Sequence, residues 1–287
     1  MLNKDPGSRR GQQPAANSRS QGHARPFLKW VGGKGRVLPQ LIPLLPDRFE
    51  AYYEPFIGGG AMFFSLQPKN AALWDINEEL ITCYRVIRDQ VEDLIAALRL
   101  HRYEKDYYYA LRALDPATMA PVQRAARTIC LNRTGFNGLY RVNRSGGFNV
   151  PFGRHSNPTI CDASNLRLCS EALAGVQLEN QDFIELADNA KRGDFVYFDP
   201  PYVPRSPTSA FTSYSAAGFK LVDQQRLAEL FARLAKRGVK VMLSNSDVPL
   251  VHELYDGFSI DIVMASRNIN SRADRRGAVS EVVVRNY

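Results

Sequence analysis

Apolar and polar positions along this chain keep two rhythms, and the switches between them mark its elements. Short apolar runs closed by an acid, a glycine or a proline predict buried strands at Tyr52 to Ile57, Ala71 to Asp75, Val176 to Glu179, Phe195 to Asp199 and Val239 to Ser244. Between them the apolar positions fall three and four apart, as at Leu80, Ile81, Tyr84 and Ile87, which predicts helices. The expected helical segments are Gly35 to Leu45, Ala61 to Leu66, Asn77 to Leu114, Pro121 to Asn132 and Asp223 to Arg237. Phe258 to Met264 and Glu281 to Arg285 read as a closing antiparallel pair.

One segment breaks the strand–helix alternation. From Arg133 to His155, RTGFNGLYRVNRSGGFNVPFGRH predicts two short strands, Leu139 to Asn143 and Phe148 to Val150, around the turn Arg144-Ser-Gly-Gly147. Alternation on both sides of a helical and hairpin segment predicts an α/β fold, a Rossmann-like sheet carrying an insertion. The expected division is a disordered basic tail over 1–24, one part of the sheet domain over 25–78, the insert over 79–161 and the rest of the sheet domain over 162–287. No internal repeat is visible.

Bulk properties narrow the class. With 287 residues, 45% of them hydrophobic, the chain has room for one large domain or one that carries a smaller second. It has no apolar run of about 20 residues to span a membrane, and no apolar leader at its start, so a soluble intracellular protein is expected. Four cysteines without a C-x-x-C pair and four scattered histidines argue against a structural metal or a disulfide framework. A net charge of +8 admits a polyanionic partner but does not require one.

Glu54-Pro-Phe-Ile-Gly-Gly-Gly60 is a strand, a glycine loop and a helix start, and bare glycines let a ligand approach the backbone closely. A tight turn would use the same glycines. Asp75 ends the next strand, seventeen residues after Gly58, near the interval at which an acid reaches ribose hydroxyls. It would equally serve as the N-cap of the helix that follows. Phe63 stands where G-x-G-x-x-G needs its third glycine, and Gly33-Lys34 is followed by Gly35 rather than Ser or Thr. Those departures disfavour a dinucleotide or a nucleoside triphosphate. An adenosine cofactor without a phosphate chain fits better, and S-adenosylmethionine is the common one.

Asp199-Pro-Pro-Tyr202 ends an apolar strand on a carboxylate. The prolines fix φ and carry no N–H, so their carbonyls can face a ligand without a competing donor. Asp199 and the Pro200 carbonyl would accept both hydrogens of an exocyclic amine while its ring stacks on Tyr202. Such acceptors favour a nitrogen with its lone pair free to attack a sulfonium methyl. A plain strand-ending turn is the alternative.

Taken together, F-L-K-W-x-G-G-K (Phe27 to Lys34), E-P-F-x-G-x-G (Glu54 to Gly60), D-I-N (Asp75 to Asn77), N-R-x-G-F-N-G-L with F-N-V-P-F-G (Asn132 to Gly153) and D-P-P-Y resemble the Dam-type, α-group DNA adenine-N6 methyltransferases. The likeness covers nearly everything from Arg25 onward. It implies methyl transfer from S-adenosylmethionine to N6 of a flipped adenine in double-stranded DNA, in a bacterial or phage-encoded cytoplasmic monomer. It also implies a cofactor pocket of Trp30, Lys34, Phe56, Gly58, Gly60, Asp75, Ile76, Asp182, Phe183 and Asp199, with no metal. Asp199, Pro200, Pro201 and Tyr202 become the catalytic clamp. On the insert, the resemblance makes Phe136 a wedge in the base stack and Asn137, Leu139, Arg141 and Pro151 readers of GATC. Arg154 takes a phosphate beside His155.

An arginine such as Arg141 bonds guanine O6 and N7 together, worth about 1–3 kcal/mol of discrimination. A solvated surface ribbon would explain the same arginines. His155 in place of a common Tyr, and Tyr140 in place of a smaller residue, depart from the family pattern and bear on the recognition sequence. Ser209 to Phe219 is expected to close over the site, and Ser271 to Gly277 to touch phosphates or form a plain hairpin tip.

Cytosine-N4 methylation is the near alternative, since the clamp accepts any exocyclic amine. Carbon-5 methylation lacks its Pro-Cys nucleophile. A non-catalytic duplex-binding protein and a nicotinamide oxidoreductase are the readings from other classes.

Overall fold

The structure is a computed structural model that describes residues 22–143, 146–205, 218–266 and 278–287. The tail up to residue 21, the turn at 144–145, most of the expected closing segment and the basic loop from Ser271 to Gly277 lie outside the described residues. Among the described residues, seven strands form one sheet in the order β3-β2-β1-β4-β5-β7-β6. They are β1 (Tyr52–Glu54), β2 (Ala71–Trp74), β3 (Gln177–Glu179), β4 (Phe195–Phe198), β5 (Lys240–Ser246), β6 (Ser259–Ser266) and β7 (Ala278–Arg285).

The strands β3, β2, β1, β4 and β5 run parallel, and β7 and β6 close the sheet antiparallel. Residues of β2 and β4 are buried on both faces, which explains their unbroken apolar runs. The chain leaves β1 toward β2 on one side, while β4 lies on the other. That reversal opens a crevice beyond the carboxyl ends of β1 and β4, where ligands of open α/β sheets bind.

The helices are α1 (Leu38–Leu41), α2 (Ala61–Leu66), α3 (Glu78–Asp89), α4 (Val91–Arg99), α5 (Lys105–Ala113), α6 (Pro121–Thr134), α7 (Ala163–Leu173), α8 (Leu221–Lys236) and α9 (Pro249–Leu254). The single helix expected over Gly35 to Leu45 is instead a 3-10 turn, the short α1 and another 3-10 turn. Pro39 and Pro43 cause this, because each removes a donor and clashes with the preceding turn. The Asn77 to Leu114 stretch breaks at Gln90, and again between Leu100 and Glu104, giving α3, α4 and α5.

Helices α3, α4, α6 and α7 share one core with β1, β2 and β3 through residues such as Tyr84, Ile87, Leu94, Ile129 and Leu173. A second core, around Phe198, Phe231 and Leu243, lies between the sheet and α8. A small third cluster of Tyr108, Leu111, Cys130 and Leu131 packs Phe148 and Phe152 of the following segment.

The two strands expected at Leu139 to Asn143 and Phe148 to Val150 are not strands. The chain does reverse there, with Asn149 N–H on the Arg141 carbonyl (3.0 Å) and Asn143 N–H on the Gly147 carbonyl (2.9 Å). Pairing is confined to single bridges, Val142 with Phe148 and Gly135 with Phe152. Side chains replace the ladder: Arg141 Nε donates to Asn149 Oδ1 at 2.7 Å, and the Gly147 N–H donates to Asn143 Oδ1 at 2.9 Å.

Candidate active site

Three carboxylates sit at or just past the ends of neighbouring parallel strands: Glu54 on β1, Asp75 after β2 and Asp199 after β4. Asp199 Oδ1 is 2.7 Å from Lys34 Nζ, and that ammonium also donates to the Gly32 carbonyl at 2.7 Å. It lies 4.8 Å from the centre of the Tyr202 ring. Burial holds the Asp199 carboxyl above the usual carboxylate range, and the Lys34 charge opposes that rise without cancelling it. Lys34 therefore rests on the acid and the ring that the sequence assigned to an amine.

The Asp-Pro-Pro-Tyr turn is held from behind by groups that the sequence did not suggest. Gln224 on α8 donates to the Pro201 carbonyl at 2.9 Å, and Asn245 at the end of β5 donates to Gln224 Oε1 at 3.2 Å. Asn245 Oδ1 also accepts from the Val203 N–H at 3.0 Å. The Tyr202 hydroxyl donates to Glu281 Oε2 of β7 at 3.1 Å. One proline carbonyl is thus engaged inward, and the ring is fixed at its far end. The signals lay in SNS after Val-Met-Leu and in Glu281 inside an apolar strand, but neither pattern shows what it touches.

Asp75 is not the cap of α3. Asn77 fills that role, accepting from the Leu80 N–H at 3.2 Å, while Asp75 accepts from the Gly58 N–H at 3.1 Å and the Asn77 N–H at 2.9 Å. Burial pushes its pKa up to about 6, against the pull of those two N–H donors. Gly58 and Gly60 both have positive φ, 47° and 70°. A Cβ on Gly58 would come within 2.8 Å of the Trp30 indole, and one on Gly60 within 2.5 Å of the Tyr84 hydroxyl. That hydroxyl donates to the Gly58 carbonyl at 3.1 Å, so the loop is pinned on three sides.

Ile76, beside Asp75, is 67% exposed, an apolar side chain facing outward from the rim of the crevice. Phe56, Phe183 and Phe219 form a ring cluster with centres 5.3 to 5.8 Å apart. Asp182 caps the 3-10 helix Phe183–Asp188 through the Ile184 N–H (3.0 Å) and lies 3.5 Å from the Arg226 guanidinium. A bare glycine loop, a half-buried acid, an exposed apolar side chain and a cluster of aromatic rings fit an adenosine-type cofactor. No group of His, Cys, Asp and Glu suited to a metal occurs among the described residues.

The residues expected to read DNA stand together on the segment after α6. Phe136 is 49% exposed, and Asn137 and Gly138 adopt left-handed φ values of 56° and 64°. Leu139 is half-buried, and Arg141, Pro151 and Arg154 are exposed. His155 is half-buried: its Nε2 lies 3.0 Å from the Gly135 carbonyl, and its N–H donates to the Tyr103 hydroxyl at 2.7 Å. A groove of about 420 Å³ runs beside them, lined by Lys29, Arg133, Arg154 and His155. A larger hollow of about 610 Å³ between α3 and β3 is a different matter, since its Arg85 and Arg88 are bonded to the Leu178 and Val176 carbonyls.

Residues 30–269 match the family of D12 class N6 adenine-specific DNA methyltransferases. The chain belongs to that family. This adenine-specific DNA methyltransferase is 47% identical over 271 residues to the type II methyltransferase M1.LlaDCHI of Lactococcus lactis subsp. cremoris, covering 92% of this chain and 95% of the relative. It is 42% identical to the type II methyltransferase M.MjaIII of Methanocaldococcus jannaschii, covering 92% and 99%. The DNA adenine methylase of Escherichia coli K12 is 35% identical, covering 90% and 94%. DNA is accordingly the substrate of the D12 enzyme, and no helix among the described residues is long and apolar enough to cross a membrane.

Proposed function

We propose that this methyltransferase transfers methyl from S-adenosylmethionine to N6 of an adenine flipped out of duplex DNA, within GATC. The observation that carries the reading is the crevice itself, with the Gly58 loop at the end of β1, Asp75 at the end of β2 on one side of it and Asp199 to Tyr202 at the end of β4 on the other. Residues 25–78 and 162–287 are assigned to the catalytic part and 79–161 to target recognition, in a monomer of the bacterial or phage-bearing cytoplasm.

Trp30, Phe56, Gly58, Gly60, Asp75, Ile76, Asp182 and Phe183 are assigned to the cofactor, with Lys34 and Asp199 at the boundary with the base. When bound, S-adenosylmethionine supplies an electrophilic methyl on a positively charged sulfur. Asp199 and the Pro200 carbonyl accept the two hydrogens of the adenine amine, and Tyr202 stacks on the base. As the amine nitrogen bonds the methyl carbon, the carbon–sulfur bond would break with its electron pair passing to sulfur, and the proton that the nitrogen then loses leaves through the Asp199 side of the clamp. Lys34 must release Asp199 for the amine to enter, and its ammonium then remains beside the carboxylate.

On the DNA side, Phe136 occupies the gap that the flipped base leaves, at a cost of a few kcal/mol for unstacking. Asn137, Leu139, Arg141 and Pro151 read base edges, while Arg154 and His155 lie along the phosphates. Labelled-methyl transfer to random-sequence duplex, followed by nucleoside analysis and mapping of the modified site, tests this reading. N6-methyladenine at GATC is the expected product. Transfer at another site would replace the specificity assignment, and absence of transfer would remove the reading.

A further inference from the structure

The recognition segment and the cofactor loop share one wall. Asn132, fully buried in the last turn of α6, accepts from the Lys29 N–H and donates to the carbonyls of Lys29 and Gly138, each at 2.9 Å. It thereby clips the strip that carries Trp30 to the start of the recognition turn. Further along, Tyr140 is buried and stacks on the Trp30 indole, with ring centres 5.1 Å apart and planes 26° apart. Phe148 also meets the Tyr140 ring, edge-on, at 5.6 Å. The Tyr140 hydroxyl faces the Asn77 side chain, and the Asn77 N–H is bonded to Asp75. The indole in turn abuts Gly58.

We infer that Tyr140 is a positioning residue that couples cofactor binding to DNA recognition. The inference rests on the assignment of Trp30, Gly58 and Asp75 to the cofactor and of Arg141 to the bases. A ligand that fixes Trp30 fixes the ring stacked on it, and Arg141 is the next residue along the backbone. The ordering of this wall is then required once rather than twice, so each ligand binds more tightly in the presence of the other. Linkage makes the two enhancements equal. A Tyr140 that served only as packing would affect stability or single-ligand affinity and leave their ratio unchanged.

The test uses the full chain, S-adenosylhomocysteine and a duplex carrying the site that the protein methylates. Calorimetry gives the affinity for each ligand alone and with the other present. In the wild type each ligand is expected to tighten the other by the same factor, on the order of 10-fold. Tyr140→Phe retains the factor. Tyr140→Leu, or Tyr140→Met where the first does not fold, brings it to within about twofold of one while each ligand still binds alone. A wild-type factor of one overturns the inference without any variant, as does an unchanged factor in the Leu or Met protein. Failure of the wild type to bind S-adenosylhomocysteine at all would instead overturn the proposed function.

Discussion

Replacing Glu54 with Gln should reverse a stability loss that the wild type suffers as pH rises. Glu54 ends β1 with only 3% of its surface exposed, and the Tyr52 hydroxyl donates to its Oε2 at 2.7 Å. Burial pushes its pKa up to about 8, helped by the Asp199 charge and opposed by the Tyr52 bond and Lys34. An unfolded chain releases this proton near pH 4.5, while the folded chain holds it until about 8. Between those values the folded state binds more protons, so rising pH favours unfolding. The contribution is intact below about pH 4.5 and lost through the window up to 8. Each pH unit inside the window is worth about 1.36 kcal/mol, which gives roughly 4 kcal/mol between pH 5 and pH 8. Gln keeps the shape and the hydrogen-bonding capacity but does not titrate. Urea unfolding at a series of pH values gives the stability of both proteins. The variant's stability relative to the wild type should climb by most of that amount from pH 5 to pH 8. A difference that stays flat, or that falls with pH, would refute the buried-acid argument.

The remaining substitutions probe the clamp, the loop and the recognition turn. Asp199→Ala should lower kcat by about 100- to 1000-fold, as loss of one transition-state partner does, while filter binding shows the duplex still bound. Gln224→Leu leaves the Pro201 carbonyl and the Asn245 amide unpaired; steady-state kinetics should show kcat reduced by roughly 10-fold, with about 1–3 kcal/mol of stability lost on urea unfolding. Gly58→Ala places a Cβ against Trp30 at positive φ, and calorimetry should find S-adenosylhomocysteine weakened by about 10-fold or more through roughly 1–3 kcal/mol of strain. Arg141→Ala should cost about 1–3 kcal/mol of discrimination at a single base position, read as methylation rates on duplexes altered one base pair at a time.

The ends of β2 and β4 were legible in this sequence because those apolar runs stop on an acid, which cannot be buried at no cost. Asp75 and Asp199 were found in that way, and the sheet places both at the crevice. The cap alternative for Asp75 was decided only by geometry, since Asp and Asn two residues apart satisfy the same local rule. Gly58 and Gly60 were legible as loop residues, but the reason they must lack a side chain is a neighbour distant in sequence, Trp30 or Tyr84. Contacts of that kind have no local signature, which is why Gln224, Asn245 and Glu281 behind the clamp were missed. The overestimate of strand in the recognition segment has a different origin. Alternating apolar residues there face a small cluster around Tyr108, and the Arg141–Asn149 side-chain bond takes the place of ladder bonds. Proline and short linkers, rather than a change of apolar period, broke the long helices.

Delivery of a methyl group to the exocyclic amine of adenine at the crevice between β1 and β4 can be observed in one experiment. Duplex DNA is incubated with the purified protein and methyl-labelled S-adenosylmethionine, and its nucleosides are analysed. N6-methyladenine is expected as the labelled nucleoside, with one S-adenosylhomocysteine formed per methyl transferred and none with Asp199→Ala beyond a trace. Label in N4-methylcytosine, or an unlabelled duplex with the wild-type protein, would contradict it.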